Sequence, residues 1–573
     1  MPKIANMFCG RTFYGLLLSC FVACTLNAQD LGKIGKEKFL KVNGGISANS
    51  IFYSSNDLNR RNPFSYYLNG NLNFSLYGWS IPVSFSYSNR TFSYMQPFNQ
   101  FSLNPTYKWV SAHVGWSSMS FSPYTLSGHQ FFGVGLDLAP PGKFKYSVVY
   151  GRFQRAVQSP DSGIATQSAY KRMGLGFKVA YDEKNYQFSF HLFRAKDDTS
   201  SITNRPPDVT PQENIALGVT AGVTIYKGLR LTMEYAASTL TRDLRPADSS
   251  LHKNTGTFIG RNSSTSTSHA IKAGLNYAHG TFAMGLGYER IDPQYRTLGT
   301  YYNNNDYQNI TVNFTQGLFK QKVVLSANAG IQQDDLDHTK ISNMRRLVSG
   351  ANIAYQPTEK LQVDASYNNF QSYTNIKSQF TAINQTTPYD NLDTLNYTQI
   401  SQSTNINLNY QLSNSKKLRQ MLNMNLSMQD AAEQQNDHTN VEGGTKFYNA
   451  ICGYNLSLVP SSTTFALALN LSYNDTYTSD VLTWGPVLAF NRPFWNKRVK
   501  FNSSLAYNTT TTNGETVMDL YNIRVGGSYS LFRKHVFNLS LLSLLRHNHQ
   551  QTSTTTPARL REFTATAGYS YSF

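Results

Sequence analysis

The final stretch of the chain, FTATAGYSYSF, alternates between apolar and polar side chains from Phe563 to Phe573. The same two-residue period recurs throughout residues 42–573, for example at Phe465–Tyr473 and Tyr521–Leu531. A period of two is that of a β-strand whose side chains point to opposite faces, whereas a helix repeats its apolar positions about every 3.6 residues. The sequence therefore predicts strands, each with one apolar and one polar face.

Composition narrows the class of protein that such strands can form. Charged residues make up 15% of the 573 residues, against about 25% in a typical soluble protein. Past the N-terminus there is no apolar run of the roughly 20 residues that a transmembrane helix needs. Low charge, abundant Tyr and Phe, and half-apolar strands together predict a transmembrane antiparallel β-barrel.

The N-terminal residues 1–28 have the pattern of a secretory signal peptide. Lys3 and Arg11 supply positive charge, an apolar core spans Phe13–Cys24, and Leu26–Ala28 precedes a cleavage site before Gln29. The apolar run is too short for a transmembrane anchor. A lipoprotein signal ending at Cys20 remains a weaker alternative.

The large positive net charge of the chain limits the kinds of partner that it is expected to bind. The net charge is +18, of which the signal peptide carries two charges. Nucleic acid is the usual partner of so basic a chain, but export argues against it. Basic loops beside anionic outer-membrane lipid, or a charged pore lining, fit better. Cys452 is the one cysteine outside the signal peptide, so no intrachain disulfide is expected, and we interpret it as a small residue facing lipid.

Short and long connections alternate along the chain. Short turns such as Ala139–Lys143 and Asp182–Asn185 alternate with long polar stretches such as Lys196–Glu213 and Asn375–Thr394. Outer-membrane barrels have short periplasmic turns and long extracellular loops. We therefore predict about 26 strands, within a range of roughly 22–28. Residues 29–41 would form a short periplasmic segment, residues 42–573 the barrel, and both mature termini would be periplasmic.

The aromatic C-terminus adds a family resemblance. Tyr569, Tyr571 and Phe573 resemble the C-terminal recognition signal of Gram-negative outer-membrane barrels. The resemblance implies that the barrel assembly machinery is a partner. The signal peptide ending before Gln29 and the Tyr/Asn-rich strands are similar to barrels of the Bacteroidota type, without pointing to a characterised family or a substrate.

A barrel of this size raises the question of what fills it. The segment before the first strand, predicted at Val42–Ile51, is too short for the folded plug of a TonB-dependent transporter. Since barrels of about 16–18 strands already leave an aqueous channel, inward-folded loops, a partner protein or a transiting substrate should close this one. Ser118–Phe132, pinned by Pro123 and Gly128, is the best candidate for an inward loop, although an ordinary surface loop fits it as well.

The alternation also assigns charged side chains to the lumen. These candidates are His113, Asp137, Lys145, Lys178, His191, Glu234, Lys272, Asp364 and Arg524. Both signs occur, as expected of a wet lumen.

The sequence holds no cluster that predicts catalysis or a cofactor. Ser, His and acidic residues do not converge, and no phosphate-binding or dinucleotide motif is present. His547 and His549 share one strand face, but without Cys or a nearby carboxylate we interpret them as a solvated strand end rather than a metal site.

Function is predicted at the level of class. The leading hypothesis is a non-enzymatic pore or translocation channel whose lumen is gated by loops or a partner. The alternative is a plugged barrel that serves as the scaffold of an outer-membrane complex, and a barrel hydrolase ranks third.

Overall fold

The computed structural model describes most of the barrel segment. The described ranges are 40–57, 61–76, 78–89, 99–158, 168–203, 209–246, 262–302, 305–334, 336–337, 345–369, 402–435, 438–476, 478–532, 534–549 and 558–573, with side chains described outside 345–346, 431–435 and 438–444. The predicted signal peptide, most of the N-terminal segment, and the loop at Asn375–Thr394 lie outside these ranges.

Alternating sequences form strands along the whole described chain. The strands are β1 (Leu40–Ser55), β2 (Phe64–Leu76), β3 (Trp79–Ser88), β4 (Gln100–Leu103), β5 (Thr106–Tyr107), β6 (Val110–Ser118), β7 (Gln130–Leu138), β8 (Phe144–Gln154), β9 (Lys171–Asp182), β10 (Tyr186–Asp198), β11 (Glu213–Tyr226), β12 (Leu229–Thr241), β13 (Thr265–His279) and β14 (Phe282–Ile291). They continue with β15 (Tyr307–Leu318), β16 (Val323–Asp334), β17 (Arg345–Thr358), β18 (Leu361–Asn368), β19 (Gln402–Asn414), β20 (Leu418–Gln435), β21 (His438–Leu458), β22 (Thr463–Thr476), β23 (Ser479–Phe494), β24 (Val499–Thr512), β25 (Glu515–Leu531), β26 (His535–Asn548) and β27 (Arg559–Ser572).

The strands close into a single antiparallel barrel. Each pairs with its neighbours in sequence, and β1 pairs with β27 as well as with β2, for example at Ala48↔Tyr569. β4 and β5 both lie between β3 and β6, so they are two halves of one broken strand. The described barrel therefore has 26 strand positions, as the sequence predicts. The first strand is longer than predicted, because pairing with β27 extends it to Ser55.

Each strand turns one apolar face outward. On β22, Leu467, Leu469 and Leu471 are 50%, 49% and 40% exposed, while Ala468 and Asn470 between them point inward. Closure of the barrel pairs the backbone N–H and C=O groups of neighbouring strands around the ring, as a hydrocarbon environment requires. The apolar outer face is suited to contact with lipid. The chain is therefore a β-barrel of the outer-membrane type, and exposed Cys452 follows the same outward pattern on β21.

The two ends of the barrel differ. One end, which we call the short-turn end, carries connections such as 139–143, 183–185 and 227–228 and both described termini. The other, the long-loop end, carries connections such as 119–129, 199–212 and 292–306. Within the described ranges there is no helix long and apolar enough to span a membrane.

Candidate functional site in the barrel lumen

The connection between β6 and β7, residues 119–129, lies inside the barrel, and we call it the inner loop. Its tip is buried, with Tyr124 5%, Thr125 0% and Leu126 0% exposed. Short-range bonds make it compact: the Phe121 amide donates to the Leu126 carbonyl oxygen at 2.8 Å, and the Gly128 amide donates to Ser120 Oγ at 3.0 Å. It lies within the candidate stretch Ser118–Phe132 of the sequence analysis.

Polar side chains of the inner wall bind the tip of the inner loop. The Ser122 hydroxyl donates to the Glu234 carboxylate of β12, and the Tyr124 hydroxyl donates to the Glu289 carboxylate of β14. Lys178 Nζ on β9 donates to the Phe121 carbonyl oxygen at 3.2 Å. Burial, and next the bond to Glu289, raise the pKa of Tyr124 far above its ordinary value. Tyr124 therefore stays protonated and remains a donor.

A second loop holds the inner loop from the side of the long-loop end. We call residues 292–302, between β14 and β15, the clamp loop. Tyr295 and Thr297 donate their hydroxyls to the carbonyl oxygens of Tyr124 and Thr125 at 2.6 Å and 2.7 Å. The Ser127 amide donates to the Gly299 carbonyl oxygen at 3.1 Å. The inner loop is thus held by hydrogen bonds both to the wall and to the clamp loop.

An apolar cluster forms where these loops meet the wall. Its buried members are Met119, Phe121, Leu126, Phe131, Val149, Phe153, Phe193, Ala195, Leu240 and Leu298. Burying a Leu or Phe side chain contributes about 1.5–3 kcal/mol. Since barrel lumens of this kind are usually polar, a dry cluster on the inner wall indicates that the inner loop is a packed part of the fold.

Glycines on the inner wall make room for the loop. A Cβ on Gly135 would meet Met119 Sδ at 2.5 Å, and one on Gly176 would meet the Phe121 ring at 2.8 Å. A Cβ on Gly218 would meet His191 at 2.3 Å and Thr125 at 3.2 Å. The inward positions of β7, β9 and β11 therefore form a recess shaped for the inner loop.

His129 ends the inner loop in an aromatic setting. Its ring stacks on Tyr301 at 4.1 Å and lies 5.2 Å from Phe153, and its Nδ1 is 2.8 Å from the Gln130 carbonyl oxygen. Burial lowers the pKa of His129 below its ordinary value. The neutral form is therefore the one that fits this packing.

A cavity of about 300 Å³ lies on the inner wall toward the short-turn end. It is lined by Lys145, Lys178, Arg230 and Asp182, among others. Lys145 pairs with Asp182 at 2.5 Å, and Arg230 donates to the Gln187 side chain. Three cations against one carboxylate make the cavity attractive to an anion.

Several of the predicted lumen residues lie together on this wall. His113 and Asp137 pair at 2.9 Å. His191 Nε2 lies 3.1 Å from the Thr220 hydroxyl, and its Nδ1 lies 3.4 Å from that of Thr125 in the inner loop. Lys145, Lys178 and Glu234 have the contacts given above.

The remaining predicted residues are more widely spread. Lys272 stands opposite Glu234 in the strand register and pairs with Glu289 at 3.7 Å. Asp364 on β18 accepts a hydrogen bond from the Gln362 side chain at 2.8 Å. Arg524 on β25 lies opposite Ser504 of β24. The structure therefore gathers the candidates of β6–β13 around the inner loop and the cavity, and leaves the last two apart.

Sequence reasoning missed several residues of this site. Glu289 and Arg230 lie on strands in which apolar and polar residues alternate. On β14, Met284 and Leu286 are exposed on the outer face, so the alternation places Glu289 on the opposite face, in the lumen. Tyr295 and Thr297 lie in a loop without a periodic pattern. No signal in the sequence pointed to them.

The C-terminal residues lie on the outer face near the short-turn end. Tyr571 packs edge-on against Phe573 at 4.8 Å and lies 4.7 Å from His535, while Tyr569 contacts Phe537 at 5.0 Å. They form an aromatic group beside the seam between β27 and β1, where the barrel closes.

Outer-membrane barrel proteins are among the solved structures that are similar to this chain. No protein-family model and no curated protein sequence matches the chain. Among solved structures, the Escherichia coli outer membrane transporter YddB matches with a TM-score of 0.40 at 8% identity, covering 94% of this chain and 81% of that one. The copper transporter OprC matches with 0.39 at 10% identity and the same coverage. The P pilus usher (PapC) translocation pore matches with 0.29 at 11% identity, covering 93% and 99%. At these TM-scores the likenesses carry no conclusion about the function of this chain.

Proposed function

We propose that the chain is an outer-membrane channel for small hydrophilic solutes, with a preference for anions, and that the inner loop gates it. The observation that carries the proposal is the inner loop itself, bound to inward carboxylates on β12 and β14 beside a cationic cavity. A loop that narrows the lumen above such a cavity is suited to admit solutes selectively.

The orientation and processing of the chain belong to the same proposal. The short-turn end would face the periplasm with both mature termini, after removal of residues 1–28, in a bacterium of the Bacteroidota type. Tyr569, Tyr571 and Phe573 would be read by the barrel assembly machinery. Outer-membrane lipid would surround the apolar face, and a periplasmic or surface partner would plug the part of the lumen that the inner loop leaves open when the channel is closed.

A second candidate function is a plugged barrel that serves as a scaffold. The apolar cluster favours it, because dry packing inside the barrel resembles a permanent structural element more than a mobile gate. No such observation favours a hydrolase.

Planar-bilayer recording separates the two functions. The protein is extracted gently, its subunit content is determined, and the lone chain is recorded in symmetrical and then asymmetrical KCl. A stable conductance with a reversal potential on the anion-selective side supports the channel. Absence of conductance in every preparation of folded lone chain would overturn it and leave the scaffold.

A further inference from the structure

Three metal-ligating side chains converge on the outer face at the long-loop end. Asp519 on β25 stands directly opposite His547 on β26 in the strand register, and His549 directly follows β26. Tyr521 and Leu545, the neighbouring outward positions, are 43% and 37% exposed. The group therefore lies on the outside of the barrel, apart from the lumen site.

Their donor atoms are close together. The potential ligand atoms of Asp519, His547 and His549 all lie within 4.8 Å of one another. His549 Nε2 is 2.7 Å from Asp519 Oδ2, and the two imidazole rings are 4.5 Å apart. Among the described residues this is the group that brings three such ligands together.

Neighbouring groups hold the ligands in place. The Tyr507 hydroxyl donates to Asp519 Oδ1 at 3.0 Å and orients the carboxylate while Oδ2 points to His549. The His549 amide donates to the Val517 carbonyl oxygen at 2.8 Å, which fixes the backbone beyond the end of β26. Hydrogen bonds of this kind to metal-ligating carboxylates orient them for the ion.

We infer that Asp519, His547 and His549 form a binding site for a divalent transition-metal ion such as Zn²⁺. Two imidazoles and one carboxylate form a donor set that Zn²⁺ prefers, and three protein ligands leave a fourth position for water or an external anion. The His549 side chain is 37% exposed, so an ion from the solvent can reach it beside Asp519. A bound ion links β25 to β26 at the start of the loop between β26 and β27.

The sequence alone points away from this site because Asp519 precedes His549 by 30 residues. The interpretation of His547 and His549 as a solvated strand end assumed that no carboxylate was nearby. The hairpin of β25 and β26 brings Asp519 to them.

The test is Zn²⁺ binding by the full-length protein in detergent, purified without a polyhistidine tag. Equilibrium dialysis with metal analysis gives the affinity of the wild type. His547→Ala, His549→Gln and Asp519→Asn should each weaken binding by at least about 10- to 100-fold, since the loss of a group that only orients a ligand already costs that much. His535→Ala should leave the affinity unchanged, since His535 lies on the same face of the same strand at the short-turn end, with its Nδ1 2.8 Å from the Tyr569 hydroxyl.

His549→Gln is the decisive variant, because His549 lies beyond the strand and contributes its side chain to a surface contact. Heat-modified mobility on a gel verifies that each variant is folded. Unchanged Zn²⁺ affinity in folded His549→Gln, or an equal loss of affinity in His535→Ala, would overturn the inference. This readout is independent of conductance, so it does not depend on the proposed channel.

Discussion

Charged side chains of the inner wall alternate in sign where the inner loop is held. Across β12, β13 and β14 the strand register places Glu234, Lys272 and Glu289 side by side. Each of the two carboxylates accepts a hydrogen bond from a hydroxyl of the inner loop. Lys272 between them offsets the repulsion of two carboxylates in a restricted space. The part of the lumen wall that carries these three residues is therefore a binding surface for the inner loop. The cationic cavity, which lies nearer the short-turn end, remains available to a solute.

Arg230 tests the charge of that cavity. Arg230→Glu adds a negative charge beside Asp182 and Lys145, so we expect anion preference to fall or reverse, because fixed charge sets the local ion concentration. The measurement is the reversal potential in a KCl gradient. Lys416→Glu makes the same change of charge on the short turn between β19 and β20 and should shift the reversal potential far less. Equal shifts in the two variants would refute a role for the cavity.

Two adjacent residues test the faces of the strands. Leu469 is 49% exposed on the outer face of β22, whereas Ala468 points inward. Leu469→Arg should lower the free energy of unfolding from lipid vesicles by about 2–4 kcal/mol, since an arginine on the lipid face near the bilayer midplane costs about that much. Ala468→Arg should cost much less because the lumen is wet. Similar losses for both variants would show that the assigned faces are incorrect.

The strands and short turns were predictable, because they depend on residues close in sequence. The turn predicted at Ala139–Lys143 lies between β7 and β8. The turn predicted at Asp182–Asn185 begins one residue later than predicted, because Asp182 is the last residue of β9. Ser118–Phe132 could be named as a candidate inward loop, with a surface loop equally open, but its anchors could not be predicted, because Glu234, Glu289 and Tyr295 lie 112, 165 and 171 residues from their partners. Alternation assigns a face to a residue and carries no information about which distant side chain it meets.

Gly299 tests the contact between the inner loop and the clamp loop. A Cβ there would lie 2.3 Å from the Thr125 carbonyl oxygen and 3.0 Å from the Phe193 ring, so Gly299→Ala must displace the inner loop. We expect faster swelling of liposomes in isotonic sugar solution. Gly142→Ala is the matched control, because a Cβ at Gly142 meets nothing within 4 Å on its short turn. Unchanged swelling in folded Gly299→Ala would mean that the contact does not restrict the lumen.

His129 makes the packing of the inner loop sensitive to pH. Burial lowers its pKa below the ordinary value of 6.5, so the released loop binds a proton more readily than the packed loop. By linkage, the stability of the packed form is fully present above about pH 6.5 and declines as the pH falls below it. We expect conductance to rise as the pH is lowered from about 7 to about 5.

The variant His129→Gln isolates this effect from other titrating groups. His191, Glu234, Glu289 and Lys178 also face the inner loop, so part of the pH response should persist. The part that is due to His129 should disappear from the conductance-against-pH curve. Superimposable curves for His129→Gln and the wild type would exclude His129 as the group responsible.

The whole molecule joins a conventional outer surface to an unusual interior. Closure between β1 and β27 and the alternating faces follow from a period of two, which any membrane barrel must obey. The interior departs from a uniformly wet lumen because the β6–β7 and β14–β15 loops form an apolar cluster with residues of β7, β8, β10 and β12. The central claim is that this packed inner loop limits passage through the barrel.

The most direct test is the single-channel conductance of the lone chain with and without the tip of the inner loop. Replacing residues 121–126 by Gly-Gly-Ser removes the side chains that bind Glu234 and Glu289 and the two carbonyl oxygens that accept from Tyr295 and Thr297, and it leaves the sequence of every strand unchanged. We predict a stable, small conductance for the wild type and a clearly larger one for the shortened variant, in preparations shown by heat-modified mobility to be folded. The same conductance in both proteins would contradict the account, because the inner loop would then not limit passage.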